Sequence, residues 1–297
     1  MAKKLIRFDW AIKKLLRHKA NFTILEGFLS ELLKFDITIE NILESEANKE
    51  DPNDKYNRVD ILVKSSQGEL MLVEVQNESQ VDYFQRMVYG ASKLITKYIK
   101  EGEPYSAIKK VYSINIVYFG LGQGQDYVYE YDGHFIGIHY GDVLQPSLTQ
   151  KNTLNVGEIK DIFPKYYVLK VNNFDDVAKD TLDEWVYFLK NSEVKDGFRA
   201  KGLKEAREKL KEETLSEEER RAYRRFQESR RIERSVTETA LLEGEEKGVK
   251  KGREEGIEIR DREIVLHMHA KGVDAEQIAY LAGLPLEKVK EILDKFA

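Results

Sequence analysis

Between Phe22 and Leu33 the apolar residues Phe22, Leu25, Phe28, Leu29, Leu32 and Leu33 recur at helical spacing, which predicts a buried amphipathic helix. Ile37, Ile39, Ile42 and Leu43 follow, then a polar stretch from Glu44 to Tyr56 with Pro52 and Asn53; this reads as a strand or short turn plus a loop. Arg58-Val-Asp-Ile-Leu-Val63 and Leu70-Met-Leu-Val-Glu-Val-Gln76 are rich in residues that suit a pleated, half-buried surface, and Gln67-Gly68 between them supplies the turn of a hairpin. Val81, Phe84, Val88, Ala91, Ile95 and Ile99 mark a second amphipathic helix, ended by Glu101-Gly-Glu-Pro104. Val111 to Phe119 reads as a strand, Asp126–Tyr131 and His134–Tyr140 as short strands, and segments around Phe163–Val171 and Leu182–Leu189 complete the globular part with Trp185 and Phe188 as core anchors. Helix, strand, hairpin, helix, strand is the order of an α/β sandwich.

From Lys201 to Ile259 acidic and basic residues alternate, as in Glu217-Glu-Glu-Arg-Arg221, and such pairs at i,i+4 support an exposed helix. Gly244, Gly248, Gly252 and Gly256 recur at every fourth position within it, as either a helix-packing stripe or a linker. In the tail, Asp274-Ala-Glu-Gln277 has the form of a capping box and Ala279 to Lys290 that of a helix-turn-helix, suited to DNA or to protein contact. The expected organisation is a globular α/β domain over 1–195, a charged helical arm or linker over 196–260, and a small helix-turn-helix-like unit over 261–297.

The chemistry sits on the hairpin. Thirteen residues separate Asp60 from Glu74, with Gln76 beyond, so the hairpin sets Asp60 beside Glu74, and alternation puts Glu74 and Gln76 on one face. Two close carboxylates repel unless a cation or proton intervenes. Hard oxygen ligands suit Mg²⁺ or Mn²⁺, and metal-assisted phosphodiester hydrolysis is the natural use. Glu26 projects at the margin of the first helix's apolar face, whereas Glu31 points away from it. Gly120-Leu-Gly122-Gln-Gly124 has no following helix to make it a phosphate loop, so it is expected to be a flexible connection.

With these residues in place, the chain resembles the PD-(D/E)XK nuclease core in its E-x-Q variant. More narrowly, Arg7 to Leu16, Leu25 to Leu33 and Asn57-Arg-Val-Asp60 resemble the bacterial PD-(D/E)XK nuclease family transposases, also called recombination-promoting nucleases. The resemblance covers most of the chain and is strongest from about residue 5 to 120. It implies an α/β restriction-endonuclease-like fold with a helical C-terminal extension. It also implies a Mg²⁺- or Mn²⁺-dependent DNA endonuclease, with Asp60, Glu74 and Gln76 catalytic and Asp60, Glu74 and the Val75 carbonyl as metal ligands. Gln76 stands where lysine is usual, and Lys64 or Lys55 are candidates for a relocated cation. Glu26 is the accessory glutamate that the first helix lends in such folds, and Gln85 and Tyr89 form a Q-x-x-x-Y pattern used near the nucleic-acid strand.

Composition narrows the setting. The absence of cysteine excludes disulfides and thiolate zinc sites and points to a reducing cytoplasm. No apolar run reaches the roughly 18 residues of a membrane span, and Met1 to Arg7 is too poor in apolar residues for a secretory signal. The net charge of −5 does not decide against DNA, because the field in a cleft depends on local arrangement. Lys13, Lys14, Arg17, His18 and Lys19 form a basic stretch that reads equally as a solvated helix face or a DNA contact. The rival readings are a catalytically weak DNA-binding protein derived from a mobile element and an interaction protein organised by the charged helices, with homo-oligomers formed through the C-terminal helices.

Overall fold

The computed structural model describes residues 5–43 and 60–296. The loop expected between Glu44 and Tyr56, Lys55 within it, and Asn57, Arg58 and Val59 lie outside the described residues. The chain forms two compact units, Met1–Arg221 and Ala222–Ala297.

A six-stranded sheet organises the first unit, with strands β1 (Ile39–Leu43), β2 (Ile61–Ser65), β3 (Leu70–Gln76), β4 (Val111–Val117), β5 (Val128–Tyr131) and β6 (Lys165–Lys170) in the order β1-β2-β3-β4-β6-β5. β2 and β3 form the expected antiparallel hairpin, with Ile61 paired to Val73 and Gly68 at φ 86°, a turn conformation that glycine adopts without steric cost. β3, β4 and β6 run parallel, and β5 returns antiparallel on β6. β4 is buried along its whole length, as parallel strands covered on both faces are.

Helices α1 (Phe8–Lys14), α2 (Phe22–Leu33), α3 (Tyr83–Tyr98), α4 (Leu148–Leu154), α5 (Thr181–Asn191) and α6 (Leu203–Lys209) complete this unit. On one sheet face Leu62, Leu70, Leu72 and Val111 pack with Ala91 and Leu94 of α3, and further along Val117 and Val168 pack with Tyr83 and Met87. Alternation places Glu74, paired in register with Asn115, on that same face. Elsewhere Phe8, Phe28, Trp185 and Phe188 form edge-on and tilted ring contacts at 5.5–6.3 Å, and the Trp185 indole donates to Lys201 O at 3.0 Å.

Three expectations shift. The buried face of α3 is Tyr83, Met87, Gly90, Ala91 and Leu94; Val81 precedes the helix, and Phe84 and Val88 are half exposed. The apolar stripe read from Val81, Phe84 and Val88 was out of phase because the inward residues include a tyrosine and a glycine, which an apolar count passes over. His134–Tyr140 is not a strand; only an isolated bridge joins Ile136 to Val143. Residues 196–221 pack with the first unit, with Leu203, Ala206 and Leu210 fully buried, although their sequence is as charged as the arm that follows.

α7 (Glu217–Ala270) is one continuous 54-residue helix through Gly244, Gly248, Gly252 and Gly256, and a Cβ added at any of these would meet nothing within 4 Å. In the second unit its last turns join α8 (Ala275–Ala282) and α9 (Leu286–Phe296) around Val265, Ile278 and Val289. Asp274 caps α8 by accepting from Gln277 N at 2.9 Å, and Gly283 ends it at φ 64°. Among the described residues no helix is long and apolar enough to cross a membrane.

Candidate active site

Asp60 stands one residue before β2, and the hairpin register carries its carboxylate to the backbone of β3. Its Oδ2 accepts from Val75 N at 2.6 Å, and its Oδ1 meets Lys13 Nζ of α1 at 3.2 Å. Arg17 donates to the Asp60 carbonyl at 2.6 Å. Burial raises the Asp60 pKa above its ordinary value, and Lys13 and the Val75 N–H oppose the shift.

Glu74 lies on β3 beneath α3, and its side chain is 5% exposed. Its Oε2 has no hydrogen-bond partner; Arg86 Nε stands 3.5 Å away, too long for a good hydrogen bond. Burial pushes the Glu74 pKa up to about 7; Arg86 opposes this, the Asp60 charge adds to it, and the Tyr83 hydroxyl works against it. Tyr83 itself is held protonated, its pKa raised by burial and by the Glu74 charge. Its hydroxyl donates to Asn115 Oδ1 at 3.3 Å, while Asn115 Nδ2 is committed to Ser113 Oγ and Tyr167 O.

Gln76 closes β3, half buried, and its amide donates to Glu78 O at 3.3 Å. Beside it Asn77 donates to Asp9 Oδ2 at 3.1 Å, and buried Asp9 also holds Arg7 and Trp10 N. α1 is thus anchored next to Gln76 through Asp9 and reaches Asp60 through Lys13, one turn on.

The other expected residues are placed differently. Glu26 accepts from Ile39 N at 2.8 Å, so its carboxylate is spent on the entry to β1 and not brought to Asp60. Lys64 pairs with Glu40 at 2.7 Å. Gln85 is exposed on α3, and Tyr89 is half buried with Lys93 Nζ over its ring at 5.9 Å. Asp9, Tyr83, Arg86 and Asn115 escaped the sequence reading. Two of them had a signal there: Asn115 interrupts the apolar run Val111–Val117, and Asp9 stands between Phe8 and Trp10.

Among the described residues no cluster of three or more His, Cys, Asp or Glu side chains is grouped to hold a metal. Asp60, Glu74 and the Val75 carbonyl still fit a hard divalent ion, because Mg²⁺ keeps several waters and takes one or two protein carboxylates. The buried Glu74 Oε2 without a donor is the atom such an ion would satisfy.

Glu74 links folding to pH. Its folded pKa of about 7 lies above the ordinary 4.5, so between those values the native state keeps a proton that the unfolded chain loses. Glu74's contribution to stability is therefore full below pH 4.5, is lost as pH rises to about 7, and stays absent above. Glu74→Gln is therefore expected to stabilise the metal-free protein by about 3 kcal/mol at pH 8 and to have little effect at pH 4.5. Thermal melts at the two pH values check this, and equal shifts at both would contradict it.

A mixed sheet whose central hairpin carries an aspartate at the start of one strand and Glu-x-Gln on the next defines the PD-(D/E)XK class of α/β nuclease folds. Within that class the chain belongs to the PD-(D/E)XK nuclease family transposases, whose family model matches residues 6–240. No curated protein and no solved structure matches the chain.

Proposed function

We propose that this chain is a Mg²⁺-dependent DNA endonuclease that hydrolyses phosphodiester bonds in a transposase-like context. The observation that carries this reading is the carboxylate pair on one hairpin: buried Glu74 has an Oε2 without a donor, half-buried Asp60 stands beside it, and burial raises the pKa of both. Family membership supports it. Asp60, Glu74 and the Val75 carbonyl would hold the ion, which when bound lowers the pKa of its water and offsets charge on the phosphate. The chain's own residues supply the rest. Gln76, neutral and unable to act as a base, orients water through its amide. Arg86 balances Glu74, and Tyr83 and Asn115 fix the wall against which Glu74 rests. Nicking of supercoiled plasmid with and without Mg²⁺ tests the reading; equal nicking in both, or none in either, would refute it.

The second unit plays the part of recruitment in this reading. Deleting residues 262–297 removes the small core of Val265, Ile278 and Val289 and touches no residue of the carboxylate pair. Mn²⁺ affinity measured by calorimetry should stay within about twofold of the full chain. DNA affinity should fall with a shallower salt dependence, since fewer phosphates are neutralised. An unchanged salt slope with a smaller assembly on sedimentation would assign the unit to self-association instead.

A further inference from the structure

A divalent ion held by Asp60 and Glu74 would have its two charges matched by those two carboxylates. A DNA phosphate entering the site then needs positive charge from elsewhere, and Gln76 has none to give. Arg86 is placed against Glu74, and Lys64 against Glu40. Lys13 differs in where its charge sits. Its ammonium contacts Asp60 Oδ1, the oxygen that does not take the Val75 N–H, and its side chain is 45% exposed. The side chain that carries this ammonium is therefore reachable from solvent while it contacts Asp60.

That position is built into the fold. Asp9, one turn before Lys13, is 1% exposed and bonded to Asn77 beside Gln76. Arg17, four residues after Lys13, donates to the Asp60 carbonyl. The segment carrying Lys13 is thus tied to the residue before β2 and the residue after β3.

We propose that Lys13 is the transferable ammonium of the site: the counter-ion of Asp60 in the metal-free protein, and a contact to the substrate phosphate once a divalent ion takes over Asp60. This rests on the endonuclease reading and adds a substrate-contacting residue from α1. The exchange is one of partners only, with no bond made or broken.

Lys13→Ala and Lys13→Arg, compared with wild type, test it. Lys13 is exposed, so neither variant should perturb folding, and circular dichroism verifies that. For Lys13→Ala, Mn²⁺ binding by calorimetry should tighten by roughly threefold or more, because a competing cation is gone. DNA binding in Ca²⁺, used as an ion that supports binding without cleavage, should show a log–log salt slope shallower by about one. Without divalent ion the slope should match wild type, because Lys13 is then engaged with Asp60. Nicking in Mg²⁺ should fall roughly a hundredfold, and Lys13→Arg should recover the slope and part of the nicking. An unchanged Ca²⁺ slope with undiminished nicking would overturn the proposal and leave the endonuclease reading standing. Weaker Mn²⁺ binding would overturn it too, since Lys13 would then be organising the carboxylates. A wild-type protein that neither binds Mn²⁺ nor nicks DNA would refute the endonuclease reading and the proposal with it.

Discussion

If the chain is the proposed endonuclease, Asp60→Asn and Glu74→Gln should each cut Mg²⁺-dependent plasmid nicking by on the order of a thousandfold or more, because each would remove half of the charge proposed to hold the ion. The substituting residue decides whether the fold is disturbed along with the charge. Asp60→Ala would strand the Val75 N–H, which now donates to Oδ2 at 2.6 Å, and an unmet buried donor costs about 1–3 kcal/mol. Asparagine keeps an acceptor in that place and removes only the charge. At position 74 the charge itself is buried and its Oε2 has no hydrogen-bond donor, with Arg86 at 3.5 Å, and glutamine sheds that charge. The expected pattern is therefore two dead enzymes with different stabilities: Asp60→Asn near wild type and Glu74→Gln more stable at pH 8. Mn²⁺ titration by calorimetry should show affinity lost in both. Full nicking activity in either variant would remove that residue from the site.

Metal affinity should itself follow pH through Glu74. Binding must displace the proton that burial holds on this carboxylate up to about pH 7, so below that pH Mn²⁺ affinity should weaken by roughly tenfold per pH unit. Calorimetry at pH 6 and pH 8 reads the difference, and equal affinity at the two pH values would contradict it.

The largest expected loss of stability comes from a single added methyl group. At Gly27 in α2 a Cβ would lie 2.5 Å from Lys201 C and 2.6 Å from Gly202 Cα, and closer still to Lys201 O. All three are backbone atoms, so no side chain can swing aside. The Lys201 turn is also pinned, because its carbonyl accepts from Trp185 and its N–H donates to Glu31 Oε1 at 3.0 Å. Gly27→Ala should cost about 4 kcal/mol or more, or prevent folding, through overpacking against a fixed main chain. Gly244→Ala is the matched control, since its Cβ meets nothing and removing a helical glycine gains up to about 1 kcal/mol. Urea unfolding of the pair would decide, and a Gly27→Ala midpoint equal to wild type would contradict the close approach of α2 to residues 201–202.

Much of the hairpin was legible from the chain alone, because its determinants are local. Side-chain alternation, a glycine able to take φ 86° and two apolar runs suffice to set Asp60 beside the Glu74 segment. α2 was legible at both ends for the same reason: its stripe is aliphatic and aromatic throughout, and the structure keeps Phe22–Leu33. Local pattern lost its hold wherever a polar group decides what is buried. α3 turns Tyr83 inward because Asn115, 32 residues away, receives its hydroxyl, and an apolar count cannot see that bond. Glu26 was placed correctly at the edge of α2, yet what its carboxylate meets depends on where β1 begins. Residues 196–221 read as arm by composition, but Leu203, Ala206 and Leu210 find a core only once α2 and α5 are assembled. The cations around the carboxylates follow the same rule. Lys13, Arg17 and Arg86 look like surface charges in sequence, and they come to Asp60 and Glu74 only when α1 and α3 dock on the sheet. The sequence by itself determined the acidic hairpin and the face it presents, since both depend on neighbours along the chain. The tertiary structure decided which charges surround it, since these depend on partners tens of residues away.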